Sequence, residues 1–150
     1  MDKKKWFVLF SLVLIGAAFL SVSAFSETDV DTEKVFEVYP IGKIVKKDGR
    51  TFVVIDKKFE PGLLGMDKLS YVTVIYWFDR NDIAAKRSIL QVHPRRNMNS
   101  ALTGIFATHS PVRPNLIGIS RCKIISVRGN AIEIEDIDAF DGSPVIDLKS

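Results

Sequence analysis

Tyr71–Phe78 reads YVTVIYWF, and its reading decides the fold. β-Branched and aromatic side chains fill it, the types that suit a pleated, packed surface. It is the strongest strand signal in the chain. The near-continuous apolar character predicts cover on both faces, with a barrel interior on one side and a subunit interface on the other. Working outward, Ile41–Lys46 and Thr51–Ile55 read as two strands joined at Asp48-Gly49, a hairpin turn pair. Phe59–Leu69 carries Pro61, Gly62 and Gly65 and reads as a turn or a short helical turn. Downstream, Asn81–Arg87 offers one helical turn, Ser88–Val92 a short strand, Pro94–Thr103 a polar loop and Gly104–Thr108 another strand. Ile117–Val127 is a long strand with imperfect alternation, because Ile117 and Ile119 fall on the phase of Arg121; a bulge near Ser120 would reconcile them. Gly129-Asn130 turns the chain into Ala131–Glu135, which closes a hairpin. Many short strands, frequent turns and almost no helix predict an all-β barrel or sandwich.

Gly104–Ser120, GIFATHSPVRPNLIGIS, is the chemically richest stretch. Pro111 and Pro114 fix φ and withdraw backbone donors, so the segment is neither regular helix nor central strand. Pro114 also pushes Arg113 towards extended geometry. A stiff loop then presents Arg113, a fixed fork of donors, beside Asn115, which both donates and accepts. Two readings fit these residue types: a proline-rich connector between strands, and a loop that holds a ligand.

The chain has 150 residues, 47% apolar and 26% charged, ordinary for one globular domain. Its start is different. Lys3-Lys4-Lys5 precede an uncharged apolar run, Trp6–Val22, and the small residues Ser23-Ala24. Basic start, apolar middle and small-residue exit are the parts of a secretory signal, here residues 1–24 with cleavage after Ala24. An uncleaved membrane anchor is the competing reading, and the run is at the short end for a span. Either way the following domain is expected outside the cytoplasm, periplasmic or extracellular; an unused leader would leave it cytoplasmic. Residues 25–37 read as a flexible acidic linker and 38–150 as the domain.

The formal net charge of +3 falls to +1 without the leader, with 18 basic against 17 acidic side chains. The distribution is less even. Nine basic residues lie between Arg80 and Arg128, with Asp82 the one acid among them, while six acids and one lysine follow from Glu133. A basic middle suits an anionic partner, and a sheet whose charges pair across strands suits it equally. Cys122, the one cysteine, excludes an internal disulfide and reads as a small buried hydrophobe. With only His93 and His109 beside it, no structural zinc site is expected, and no Walker loop or dinucleotide fingerprint is present.

Phe106-Ala107-Thr108-His109-Ser110-Pro111-Val112-Arg113-Pro114-Asn115-Leu116-Ile117-Gly118-Ile119-Ser120 resembles the signature F-A-T-R-S-P-x-R-P-N-P-I-G-L-S of the TsaA-like, TrmO-type β-barrel methyltransferases. Pro40-Ile41-Gly42 resembles that family's opening strand. Phe59–Gly65 with Leu69–Trp77 resembles its F-x-x-G-L-x-G-L-x-x-F-S-H-x-x-V-L-Y-W stretch, and Val92-His93-Pro94-Arg95 its V-H-P-R segment. Gly129-Asn130 and Asp138–Lys149 resemble its G-N and L-D-A-x-D-G-T-P-V-L-D-I-K ending. The likeness runs in order from Val38 to Lys149.

The resemblance implies a small closed β-barrel, S-adenosylmethionine as cofactor, and a homodimer in which a second subunit completes the site. It implies cofactor contacts from Phe106, Thr108, His109, Ser110, Arg113, Asn115, Ile117, Gly118, Asp138, Asp141, Asp147 and Lys149. Arg113 would hold the cofactor carboxylate and Asp138 or Asp141 its ammonium or ribose hydroxyls. Asn115, or backbone near Ile117 and Gly118, would read the adenine edge. For the two aspartates the residue types alone favour an Asx turn that caps the last hairpin. The implied reaction is methylation of N6 of threonylcarbamoyl-adenosine beside the tRNA anticodon, with Lys86, His93, Arg95 and Arg96 as nucleic-acid contacts. No catalytic residue and no metal is assigned.

Three positions depart from the pattern. His109 replaces an arginine, Leu116 replaces a proline and should loosen the loop, and Tyr71 replaces a histidine. With the leader, these departures keep two other readings open: an exported, non-catalytic module that binds S-adenosylmethionine or a nucleoside, and an exported structural or interaction protein. Membrane contact is expected only through the leader.

Overall fold

Gly42–Lys47 (β1) and Arg50–Ile55 (β2) pair antiparallel across Asp48 and Gly49, whose φ angles of 52° and 70° are those a two-residue hairpin of this hand requires. The structure is a computed structural model that describes residues 35–150. The leader 1–24 and most of the linker expected over 25–37 lie outside the described residues. Glu37–Ser150 forms one compact unit. Short 3₁₀ turns at Lys57–Leu63 and Met66–Lys68 lead into Tyr71–Trp77 (β3). An excursion follows: a four-residue helix Ala84–Arg87 (α1) and a two-stranded ribbon of Gln91–Val92 (β4) with Thr103–Gly104 (β5). The chain returns through Ile117–Arg128 (β6), turns at Gly129-Asn130 into Ala131–Ile134 (β7), and ends in Pro144–Lys149 (β8).

Six strands close in the order β1-β2-β7-β6-β3-β8, every pairing antiparallel. This is the closed barrel the resemblance implied, and closure removes the free sheet edges an open sheet would expose. The seam between β1 and β8 is short: Gly42 faces Val145 and Lys43 faces Pro144. Inward positions alternate along each strand and supply Ile44, Val53, Val72, Val74, Ile132 and Val145, all fully buried. Each such side chain contributes about 1.5–3 kcal/mol of burial free energy. Tyr76 is the large polar-tipped member of the core. Its ring meets Phe78 edge-on at 5.3 Å, and its hydroxyl donates to the Asp138 carbonyl at 3.0 Å. Cys122 is buried, and burial raises its thiol pKa, which makes it an inert packing residue.

On β3, Val72, Val74 and Tyr76 are buried inside the barrel, while the outer face, expected at a subunit interface, carries half-buried Thr73, Ile75 and Trp77 and a 43% exposed Tyr71. Two expectations are corrected. There is no bulge near Ser120. The β3–β6 register runs unbroken from Tyr71–Lys123 to Trp77–Ile117, and Ile117 and Ile119 simply face outward, opposite Trp77 and Ile75. The register shift falls instead between Ile124 and Ser126, where Ile125 is the extra residue. Ser88–Val92 and Gly104–Thr108 are strands for only two residues each, because Ile105–Ala107 winds into a 3₁₀ turn. β8 carries no clear strand signal in the sequence, because Pro144 opens it and Asp147 interrupts its apolar pattern, and Ile146 bulges out of its register with β3.

Glu133 on β7 locks β2 to β7 and predicts an acid sensitivity. It accepts two hydrogen bonds from Arg50, at 2.7 Å from Nε and 2.5 Å from Nη2, and a third from Ser126 Oγ at 3.0 Å. Those bonds, Arg50 foremost, hold its pKa below the ordinary value of 4.5. A depressed carboxylate pKa contributes stability above the unfolded-state value and loses it as pH falls through the folded value. Glu133→Gln is therefore expected to be less stable than wild type at pH 7, with the gap narrowing as pH falls from 5 towards 3. Urea denaturation across that range checks it; a gap independent of pH would contradict the role given to the carboxylate.

Candidate functional site

The stretch 104–120 is a loop shaped by its own side chains. Ile105 and Leu116 are fully buried and anchor its two ends. The Ile105 amide donates to the Leu90 carbonyl at 2.9 Å, and the Phe78 amide to the Leu116 carbonyl at 2.8 Å. Leu116 thus tethers the loop where the sequence predicted a loosening: an apolar side chain in place of proline gains a buried seat. Between the anchors, Thr108 Oγ1 donates to the Ile105 carbonyl at 2.9 Å and accepts the Ser110 amide at 3.3 Å. Ser110 Oγ accepts the Val112 amide at 3.4 Å. Arg113 folds back so that Nη1 donates to the carbonyls of Thr108 and Ser110, at 3.4 and 3.3 Å. Among the described residues its Nε and Nη2 have no partner, so that edge of the fork is open to a ligand. Phe106 is 78% exposed, and His109 and Asn115 are exposed beside it.

A second brace comes from residues the sequence reading did not select. Arg87 Nη1 donates to the Pro114 carbonyl at 2.9 Å while its Nε donates to Asp82 Oδ1 at 2.9 Å. Asp82 Oδ2 accepts Trp77 Nε1 at 3.2 Å, and the Arg87 guanidinium lies 5.5 Å from the Trp77 ring centre. Asp82 is held below the usual carboxylate range, chiefly by its bond from Arg87 and then by Trp77. The chain of contacts from β3 through α1 to Pro114 sets the loop against the barrel. The signal that could have found it was the isolation of Asp82 among nine basic residues.

The C-terminal candidates have partners of their own. Asp141 Oδ1 accepts the Lys46 amide at 2.8 Å, a long-range bond to β1 and not the local Asx turn that its residue type suggested. The Asp138 carboxylate has no partner among the described residues; only its carbonyl is used, by Tyr76. It lines a cleft of about 320 Å³ with Lys46, Asp136, Ile137, Ala139 and Phe140, and Arg80 stacks on Phe140 at 3.9 Å. Asp147 and Lys149 pair with each other at 2.9 Å on the outer face of β8, in register with Ile75 and Thr73. Among the described residues no hydrogen bond or ion pair joins loop 106–115 to Asp138, Asp141, Asp147 or Lys149. Ile117 ties the loop to the outer face only through its register with Trp77.

Gly118 faces inward. A Cβ there would meet the Tyr76 ring at 2.6 Å and Phe78 at 2.9 Å, so barrel packing requires this glycine, where the sequence reading invoked close approach to a ligand. Of the nucleic-acid candidates, Lys86 donates to the Arg80 carbonyl and to Asn81 Oδ1, and His93 Nδ1 donates to the Ser100 carbonyl at 2.7 Å. Arg95 and Arg96 are exposed and both hold positive φ, 55° and 57°, an uncommon conformation for long side chains.

The fold is a small closed antiparallel β-barrel that carries a braced, proline-stiffened loop. The family model described as the tRNA-methyltransferase O N-terminal domain matches residues 32–150, and the chain belongs to that TrmO family. It is 42% identical over 115 residues to a probable S-adenosyl-L-methionine-binding protein of Methanocaldococcus jannaschii, covering 77% of this chain and 91% of that one. It is 38% identical over 90 residues to a mouse tRNA (adenine(37)-N6)-methyltransferase, covering 60% of this chain and 20% of the enzyme. A crystal structure of TrmO from Pseudomonas aeruginosa superposes with a TM-score of 0.58 at 24% identity, over 77% of this chain and 54% of that one. The chain spans about half the length of the TrmO structures it matches.

Proposed function

We propose that this chain binds S-adenosylmethionine and transfers its methyl group, with an adenine N6 in tRNA as acceptor. The carrying observation is the 42% identity to a relative named for S-adenosylmethionine binding, across nearly all of that relative. The donor set fits such a group: an open Arg113 edge for a carboxylate, an exposed Phe106 ring for a base, and an unpartnered Asp138 carboxylate for an ammonium or ribose hydroxyls. When bound, the cofactor supplies an electrophilic methyl on a sulfonium. The chain's own work is alignment: Arg87 and Asp82 hold the loop, and the stapled Thr108 and Ser110 keep Arg113 presented.

No hydrogen bond or ion pair joins the loop to Asp138 among the described residues of one chain, which leaves room for a homodimer that joins one copy's loop to its partner's acidic segment. The outward apolar side chains Ile75, Trp77, Ile117 and Ile119 suit such a contact, and the mass in solution checks it. Arg95 and Arg96 would meet phosphates of the RNA. Incorporation of labelled methyl from S-adenosylmethionine into unmodified tRNA by the purified full chain tests the reading; cofactor binding with no transfer to any RNA would favour the non-catalytic module instead. The leader pattern supports export of the domain, and fractionation with a tag after Ser150 decides whether tRNA is within reach.

A further inference from the structure

Arg121 stands on the outer face of β6, one residue beyond the signature stretch and opposite Thr73. Its guanidinium carbon lies 4.0 Å from the centre of the Tyr71 ring, close enough for the ring face to hold the cation. The strand register fixes this pairing: Tyr71 sits opposite Lys123 and Thr73 opposite Arg121, so ring and guanidinium meet on the diagonal. The neighbouring cations are engaged, Lys123 with Glu135 at 3.6 Å and Lys149 with Asp147 at 2.9 Å. Among the described residues Arg121 has no ion pair and no side-chain hydrogen bond. A cavity of about 210 Å³ opens beside it, lined by Leu69, Ser70, Tyr71, Thr73, Arg121 and Ser150.

A stacked guanidinium keeps its in-plane N–H donors free along the edge. Two hydroxyls, of Ser70 and Thr73, line the same cavity and can each donate once. One bidentate fork with two further donors matches a tetrahedral oxyanion better than a carboxylate, whose two oxygens the fork alone would saturate. We propose that Arg121, clamped on Tyr71 and assisted by Thr73 and Ser70, forms a phosphate-binding subsite. From Thr73, opposite Arg121, to Trp77 β3 runs roughly 13 Å at about 3.3 Å per residue, so Arg121 is a cation separate from Arg113. The phosphate is either free or a phosphodiester of a polynucleotide backbone. The subsite does not depend on S-adenosylmethionine binding.

Calorimetric titration of the full chain with inorganic phosphate at low ionic strength tests it. Arg121→Gln is expected to weaken phosphate binding about tenfold or more, and Tyr71→Leu severalfold because the clamp is lost. Acetate should bind more weakly than phosphate, and Lys47→Gln, a change at an exposed lysine, should leave the titration unchanged. A second arm uses a single-stranded octaribonucleotide. If it binds more tightly than phosphate and Arg121→Gln lowers its salt slope by about one, the polynucleotide backbone is the source. If only phosphate responds to the substitution, the source is the free anion. Equal phosphate affinity in wild type and Arg121→Gln, or no phosphate binding at tens of millimolar, overturns the proposal. Urea denaturation within about 1 kcal/mol of wild type shows that Arg121→Gln is folded.

Discussion

Gly42→Ala should destabilise the barrel by about 3 kcal/mol and lower Tm by roughly 10 °C or more. A Cβ at this position would lie 2.2 Å from the Val54 carbonyl oxygen and 2.8 Å from Ile55 Cα. Both are backbone atoms of β2, so no side-chain rotation relieves the clash. β1 would have to move, and β1 is also the strand that seals the barrel through Gly42–Val145 and Lys43–Pro144. The effect therefore spreads beyond one overpacked contact to the closure itself. Gly62→Ala is the control, since a Cβ there meets nothing within 4 Å, and its stability should stay close to wild type. Urea denaturation of the two variants separates the cases. Equal stability would mean that the short β1–β8 seam does not hold the barrel shut.

Arg113→Ala should weaken S-adenosylmethionine binding about tenfold to a hundredfold, the range for loss of a hydrogen bond to a charged group. Arg113 spends one nitrogen on its own loop, through long bonds of 3.3 and 3.4 Å, and presents the other edge of its fork outward. Arg113→Lys keeps the charge but cannot reproduce both tasks, so most of the loss should persist. Stability distinguishes ligand contact from loop collapse. Both variants should unfold within about 1 kcal/mol of wild type, because the surrounding brace through Arg87, Asp82 and Trp77 does not involve Arg113.

The sequence made the barrel legible wherever period-two alternation was undisturbed. β2, β3 and β7 fall within a residue of their predicted bounds because β-branched residues alternate there and glycine or asparagine turns punctuate them. β8 was missed because Pro144 opens it and Asp147 and Lys149 break its apolar face. The misplaced bulge has a similar cause: it is expected because Ile117 and Ile119 share the phase of Arg121, and in the barrel all three simply face outward, Ile119 at 60% exposure. An apolar side chain on a strand does not declare which face is buried. At the candidate site, the signature named the loop but not what holds it. Arg87 and Asp82 act from α1 and the turn before it, and such long-range braces follow tertiary packing that local pattern does not carry. The same limit applies to Gly118, whose reason for being glycine is the Tyr76 ring on the neighbouring strand.

The central claim is that this barrel carries an S-adenosylmethionine site built on the loop around Arg113. Isothermal titration of the full chain with S-adenosylmethionine tests it most directly, with Arg113→Ala titrated alongside. The account predicts saturable binding to the wild type and an affinity at least about tenfold weaker in the variant. No binding to the wild type at millimolar cofactor, or the same affinity in both proteins, would contradict it.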